Sequence, residues 1–174
     1  LYGSRVDILN NEVNIQDQQW GIEHAPSIDI NSAGNIYVIK GAGALQYSGS
    51  AIGGIVIAEP SKTFLIDSLY GKTLIYGGSN GEGGSIVSKL TRTYESGWFS
   101  TLQGTLKRFG DFNAPDYIMS NTGFIDKSAS FQIGLNRFNY GFEFFLSSIN
   151  NEIGILQASH LHTAGDQIRA INSD

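Results

Sequence analysis

From Lys72 onward the chain repeats with a period of two, and this constrains its fold more than any other feature. Trp98, Leu102, Gly104 and Leu106 fall on one side of an extended segment, with Thr101, Gln103, Thr105 and Lys107 on the other. Successive side chains of a strand point to opposite faces, so each such run is a strand with one apolar and one polar face. The pattern returns at Ala129, Phe131, Ile133 and Leu135 against Ser128, Ser130, Gln132 and Asn136. It returns again at Tyr140, Phe142, Phe144 and Leu146 against Gly141, Glu143 and Ser147. Gly84 to Thr93 carries a weaker copy, with Ile86 and Leu90 opposed to Lys89 and Thr91. The alternation predicts strands near 72–78, 84–93, 98–109, 125–138 and 140–149. Such strands suit either a half-buried soluble sheet or the wall of a membrane barrel.

The connections bear on that choice. Tyr94–Gly97 and Asn139–Gly141 read as short turns, while Gly110–Phe124 and the stretch from Asn150 onward read as longer links. Alternating short and long connections fit a membrane barrel, and Trp98, Phe138 and Tyr140 lie beside the short turns, where an aromatic girdle belongs.

The first third has another character. Arg5–Leu9 and Glu12–Ile15 alternate as short strands about a turn at Asn10-Asn11. Asp17–Ser27 is a polar loop, and Asp29–Gly34 predicts a helical turn capped by Asp29 or Asn31. Asn35–Pro60 then reads as strand, glycine turn, short helical turn over Ala44–Tyr47, glycine pair and strand, with Gly53 and Gly54 as points of close backbone approach. Ser61–Leu69 is a connector.

Composition excludes several classes. The net charge of −5 with no basic block argues against nucleic acid as a partner. The absence of cysteine removes disulfides and thiolate metal sites. No apolar run approaches the roughly 20 residues of a membrane helix. The start at Leu1 without a leader-like segment, and the end at Asp174 without a closing strand, are expected of an internal piece of a longer protein.

Motifs that suggest chemistry do not complete. Gly41-x-Gly43 follows a strand as in a dinucleotide site, but the third glycine position is Gln46. Gly77–Gly84 lacks the Gly-Lys-Ser/Thr ending of a phosphate loop. His160-x-His162 offers two imidazoles where a metal site requires three or four ligands. No Ser/His/Asp grouping has a recognisable context, so no enzyme, metal or cofactor is expected.

The residues then reach a family. Val38-Ile39-Lys40-Gly41, Ala44-Leu45-Gln46-Tyr47 and Ala51-Ile52-Gly53-Gly54-Ile55-Val56-Ile57 resemble the end of the plug domain of TonB-dependent outer-membrane receptors. The chain departs from that pattern at Ser48, where the family usually has glycine. Arg5–Asn11 resembles the strand and turn before the family's ligand-side loop. Gly78–Gly81, Gly110-Asp111, Pro115–Tyr117, Ser120–Gly123, Glu152–Leu156 and Ser159-His160 are similar to the first barrel strands and loops of one branch.

The resemblance implies a mainly β chain in two parts: residues 1–66 as the C-terminal part of a small mixed α/β plug, and residues 67–174 as the first antiparallel strands of an incomplete transmembrane barrel. A barrel of about 22 strands has a lumen wide enough to need such a plug. It implies a bacterial outer-membrane location and active uptake of a scarce nutrient such as a ferric chelate, powered by an energy-coupling TonB protein whose contact segment is not in this sequence. By the same correspondence Gln18, Gln19, Trp20, Glu23 and His24 would meet the ligand, without ligating a metal, and Glu143 would be a solvated lumen carboxylate. The alternative is a soluble or surface-attached β-rich binding or adhesion module, with its Phe and Leu stripes buried under a second sheet.

Overall fold

A computed structural model describes residues 6–15, 29–156, 163–165 and 168. The described chain is mainly β, in a small sheet and a large one. The small sheet contains β1 (Val6–Asn10), β2 (Val13–Asn14), β3 (Asn35–Ile39) and β4 (Gly54–Glu59), in the order β2-β1-β4-β3. β1 and β4 run parallel, from Val6 opposite Gly54 to Asn10 opposite Ala58, and the other pairs are antiparallel. A 3-10 helix at Gly41–Gln46 links β3 to β4. It presses Ala44 into a core of Leu9, Ala51, Ile55 and Ile57, with Ile39 alongside.

Gly54 bears out the expectation of close approach. It has φ of 134°, and a Cβ there would lie 2.9 Å from the Ile39 carbonyl oxygen. At Gly34 the constraint is space alone, since a Cβ would fall 2.4 Å from the Ser61 Cα. Gly34→Ala is therefore expected to destabilise the small sheet by about 3 kcal/mol, as overpacking against backbone does. A lowered urea midpoint for the full-length protein would register it, and an unchanged midpoint would show that Ser61 yields freely.

The large sheet contains β5 (Ser68–Gly78), β6 (Gly83–Thr93), β7 (Trp98–Phe109), β10 (Phe124–Asn136) and β11 (Gly141–Ile153), in the order β11-β10-β7-β6-β5. All its pairings are antiparallel, and it is open, with β5 and β11 as edges. A ribbon of β8 (Phe112–Asn113) and β9 (Ile118–Met119) interrupts the link between β7 and β10. The five predicted strands are present with the predicted faces, because cross-strand partners put Leu90, Leu102, Phe131 and Leu146 in one row.

Three strand ends and one link differ from expectation; the strand expected over 125–138 stops at Asn136, where Arg137 N turns to bond the Tyr140 carbonyl. β5 begins at Ser68, inside the expected connector, because Leu69 and Tyr70 pair with Arg92 and Thr91. β11 continues to Ile153, past the expected link at Asn150, because Phe124–Lys127 supply partners for it. The link from β5 to β6 is the short turn Ser79–Glu82, at the same end as the longer 110–123 link, so lengths do not alternate strictly.

The polarity of the sheet decides where it can sit. The polar face is the covered one: Gln103 and Thr105 are 2% and 5% exposed. The apolar face is open, with Leu102 at 59% and Leu146 at 60%. A half-buried sheet in water has the opposite arrangement. From Trp98 to Leu106 the open apolar face extends about 26 Å along the strand, at roughly 3.3 Å per residue. Trp98 and Phe142 meet edge to face at its short-turn end, with ring centroids 5.5 Å apart. Tyr94, Phe138 and Tyr140 are exposed there too, and the Arg92 guanidinium rests 4.7 Å from the centre of the Tyr94 ring.

Candidate functional site

The small sheet lies against the polar face of the large one, and the seam between them is the most chemically organised place in the described chain. Its centre is Asp29, 4% exposed. One carboxylate oxygen, Oδ1, accepts from the backbone N–H and side-chain amide of Asn31 at 3.0 and 2.9 Å. This folds residues 29–32 into a turn, in place of the helical turn expected there. The other oxygen, Oδ2, accepts from Gln103 Nε2, Thr105 Oγ1 and Ser128 Oγ, each at 2.7 Å. Ser130 Oγ donates to Gln103 Oε1 at 2.9 Å and fixes that amide in place. Burial alone would raise the Asp29 carboxyl's pKa, but the donors from Ser128, Gln103, Thr105 and Asn31 outweigh it, and the group lies below its ordinary value.

A second tie lies one strand over. Lys89 Nζ donates to the Ser32 carbonyl at 3.3 Å and to Ser61 Oγ at 2.8 Å. It reaches the turn after Asp29 and the segment after β4 together. Beside this seam, toward the short-turn end, a cleft of about 1340 Å³ separates the sheets, lined in part by Tyr37, Tyr47, Glu59, Gln132 and Glu143. Glu143 is exposed and faces this cleft, on the polar side of β11 as predicted.

Within the small sheet, Asp7 Oδ2 accepts from Ser48 Oγ, from Ser50 Oγ at 2.7 Å and from Asn14 Nδ2 at 3.5 Å. Glycine at position 48 would delete one of these donors. At the opposite end of the large sheet the 110–123 link is tied down through Asp111. The backbone N–H groups of Gly123, Thr122 and Asn121 hold its carboxyl below the ordinary value. Phe109, Phe112 and Phe124 stack beside it, with centroids 5.3 to 6.3 Å apart.

The residues predicted to meet a ligand, Gln18, Gln19, Trp20, Glu23 and His24, lie outside the described residues, as do His160 and His162. The described residues on either side of the five predicted ligand-side positions are Ile15 and Asp29. On one side Ile15 N donates to the Ile8 carbonyl at 3.0 Å, and on the other the chain re-enters at Asp29. The seam residues Asp29, Lys89, Gln103, Thr105 and Ser128 were not predicted as a site. The signal available was the run of small polar side chains on one face of β7 and β10. Among the described residues no three His, Asp or Glu side chains converge, and no helix is long and apolar enough to cross a membrane.

Comparison with protein-family models, with curated proteins and with solved structures finds no match to this chain.

Proposed function

We propose that this chain is the gate and part of the wall of a TonB-dependent outer-membrane receptor, which takes up a scarce nutrient such as a ferric chelate. Residues 1–66 are the C-terminal part of the plug, and residues 67–174 are the first barrel strands. One observation carries the reading: the large sheet turns its apolar face outward and buries its polar face against the small sheet. A membrane wall has this polarity, lipid outside and polar lumen inside. The aromatic row at the short-turn end and the open edges β5 and β11, available to further strands, support it. A soluble binding or adhesion module would need a layer over Leu102, Phe144 and Leu146, and none of the described residues supplies one.

In this reading the ligand reaches the loop between Ile15 and Asp29 from outside. The Asp29 and Lys89 ties hold the plug against the wall while the path is closed. Pull from the energy-coupling protein parts that seam, and the small polar groups on the lumen face are rehydrated as it opens. Hydrogen bonds suit such a joint, because water replaces them when they break. The chain performs no covalent chemistry.

Membrane fractionation of the native bacterium tests this reading. Full-length protein released from the outer-membrane fraction only by detergent is the expected result, and recovery as a soluble monomer overturns it. Deletion of the gene should abolish uptake of the ferric chelate under iron limitation. Unchanged iron uptake would remove the chelate as substrate.

A further inference from the structure

The outward face of the wall is apolar only up to a boundary. At the end bearing the 110–123 link, the row of Ile75, Ile86 and Leu106 is followed by a row of Gly77, Gly84 and Arg108. Two glycines side by side leave a notch in the sheet surface. The groove there measures about 620 Å³, and Ile75, Ile86, Leu106, Gly84 and Arg108 line it, with Glu82 at the turn. Lys127 lies on the same face, opposite Leu106 and so diagonal to Arg108. Diagonal neighbours across antiparallel strands are about 7–8 Å apart, within the span of one bridging anion.

Both cations are exposed, and neither has an ion-pair partner among the described residues. The one ion pair among the described residues is Lys107 with Asp126, on the opposite face. Neither Glu82 nor Glu152, the outward carboxylate of β11, pairs with Arg108 or Lys127. The arrangement differs from the other end of the band, where Arg92 is occupied by the Tyr94 ring.

We infer that this groove binds an acyl lipid with an anionic phosphate headgroup, the phosphate bridging Arg108 and Lys127 and a chain lying over Ile86 and Leu106. Charge complementarity selects the headgroup, since a planar guanidinium and an ammonium at this spacing suit phosphate oxygens. Continuity of the groove with the apolar band selects the chain. The inference rests on the outer-membrane reading above.

The test uses the full-length receptor in phosphatidylcholine nanodiscs doped with phosphatidic acid, with bound lipid read by native mass spectrometry. Retained phosphatidic acid is expected, and Arg108→Gln with Lys127→Gln should weaken retention about tenfold. Ile86→Gln provides an independent arm: Ile86 lines the groove, so a polar side chain there removes the apolar floor under the acyl chain. It should reduce retention while leaving both cations in place. Diacylglycerol, which lacks the phosphate, should not be retained, and inorganic phosphate alone should not compete. Equal retention by the wild type and both variants, or full competition by inorganic phosphate, overturns the lipid site. If the receptor still fractionates with the outer membrane, the wall assignment stands. A receptor recovered as a soluble monomer removes both.

Discussion

On the lipid-facing reading proposed above, Leu102→Arg is expected to lower the stability of the protein in a bilayer by about 2–4 kcal/mol, the range for a cation on the lipid face near the bilayer midplane. Leu102 lies in the row of Leu90, Phe131 and Leu146, midway along the outward face. Its side chain is already exposed, so the substitution makes no cavity and breaks no contact of the core. If that face met water, the same change would fall within about 0.5 kcal/mol of neutral and would raise solubility. Urea titration of the full-length protein in lipid bilayers separates the two. A midpoint unmoved by Leu102→Arg would sink the lipid-facing assignment more directly than any binding assay, because it reads the solvent around one named side chain.

Asp29→Ala comes next in expected effect. It removes the acceptor of three wall side chains and two groups of Asn31, and should weaken the seam by about 3 kcal/mol. Asp29→Asn keeps one acceptor oxygen but turns an amide N–H toward other donors, so it should recover only part of the loss. Faster hydrogen exchange across residues 29–34, with the strands of the large sheet still protected, is the expected signature. Uniform loss of protection would mean that Asp29 supports the whole fold rather than the joint.

The acid dependence of the seam has a definite sign. The native carboxyl lies below its ordinary value of 3.8 because the donors outweigh the effect of burial. Its contribution is therefore complete above the unfolded value and is lost as pH falls through the lower native value. Between neutral pH and about pH 5 the seam should not change, since an ordinary aspartate is ionised there. Exchange at residues 29–34 should rise only in stronger acid, and Asp29→Ala should abolish that rise. Asp111 adds a parallel acid dependence at the far link, which the Asp29 variant leaves intact.

How much of this was legible in the sequence depends on the range of the interaction. The strands of the large sheet were readable because alternation is local: Thr101, Gln103 and Thr105 declare one face without knowledge of their partners. Alternation does not say which face is wet, and the reversed polarity emerged only when Gln103 proved buried and Leu102 open. The strand ends at Ser68 and Ile153 were set by partners on neighbouring strands, where the local pattern weakens. Asp29 was hidden by distance. Next to Asn31 it reads as a local cap, and that half of its bonding is present. Its wall partners lie 74, 76 and 99 residues further along, and no short-range pattern announces them.

The parallel pairing of β1 with β4 separates the two sheets in time. Each strand of the wall meets one adjacent or nearly adjacent in sequence, so the wall can zip together hairpin by hairpin with little loop-closure entropy at each step. β1 has no such route. It must wait for β4 across all the residues between, β3 and the 3-10 helix among them, before Val6 can find Gly54. Contacts of that span slow folding. The small sheet should therefore acquire protection after the wall has formed, and the polar face of the wall would be the surface on which it assembles.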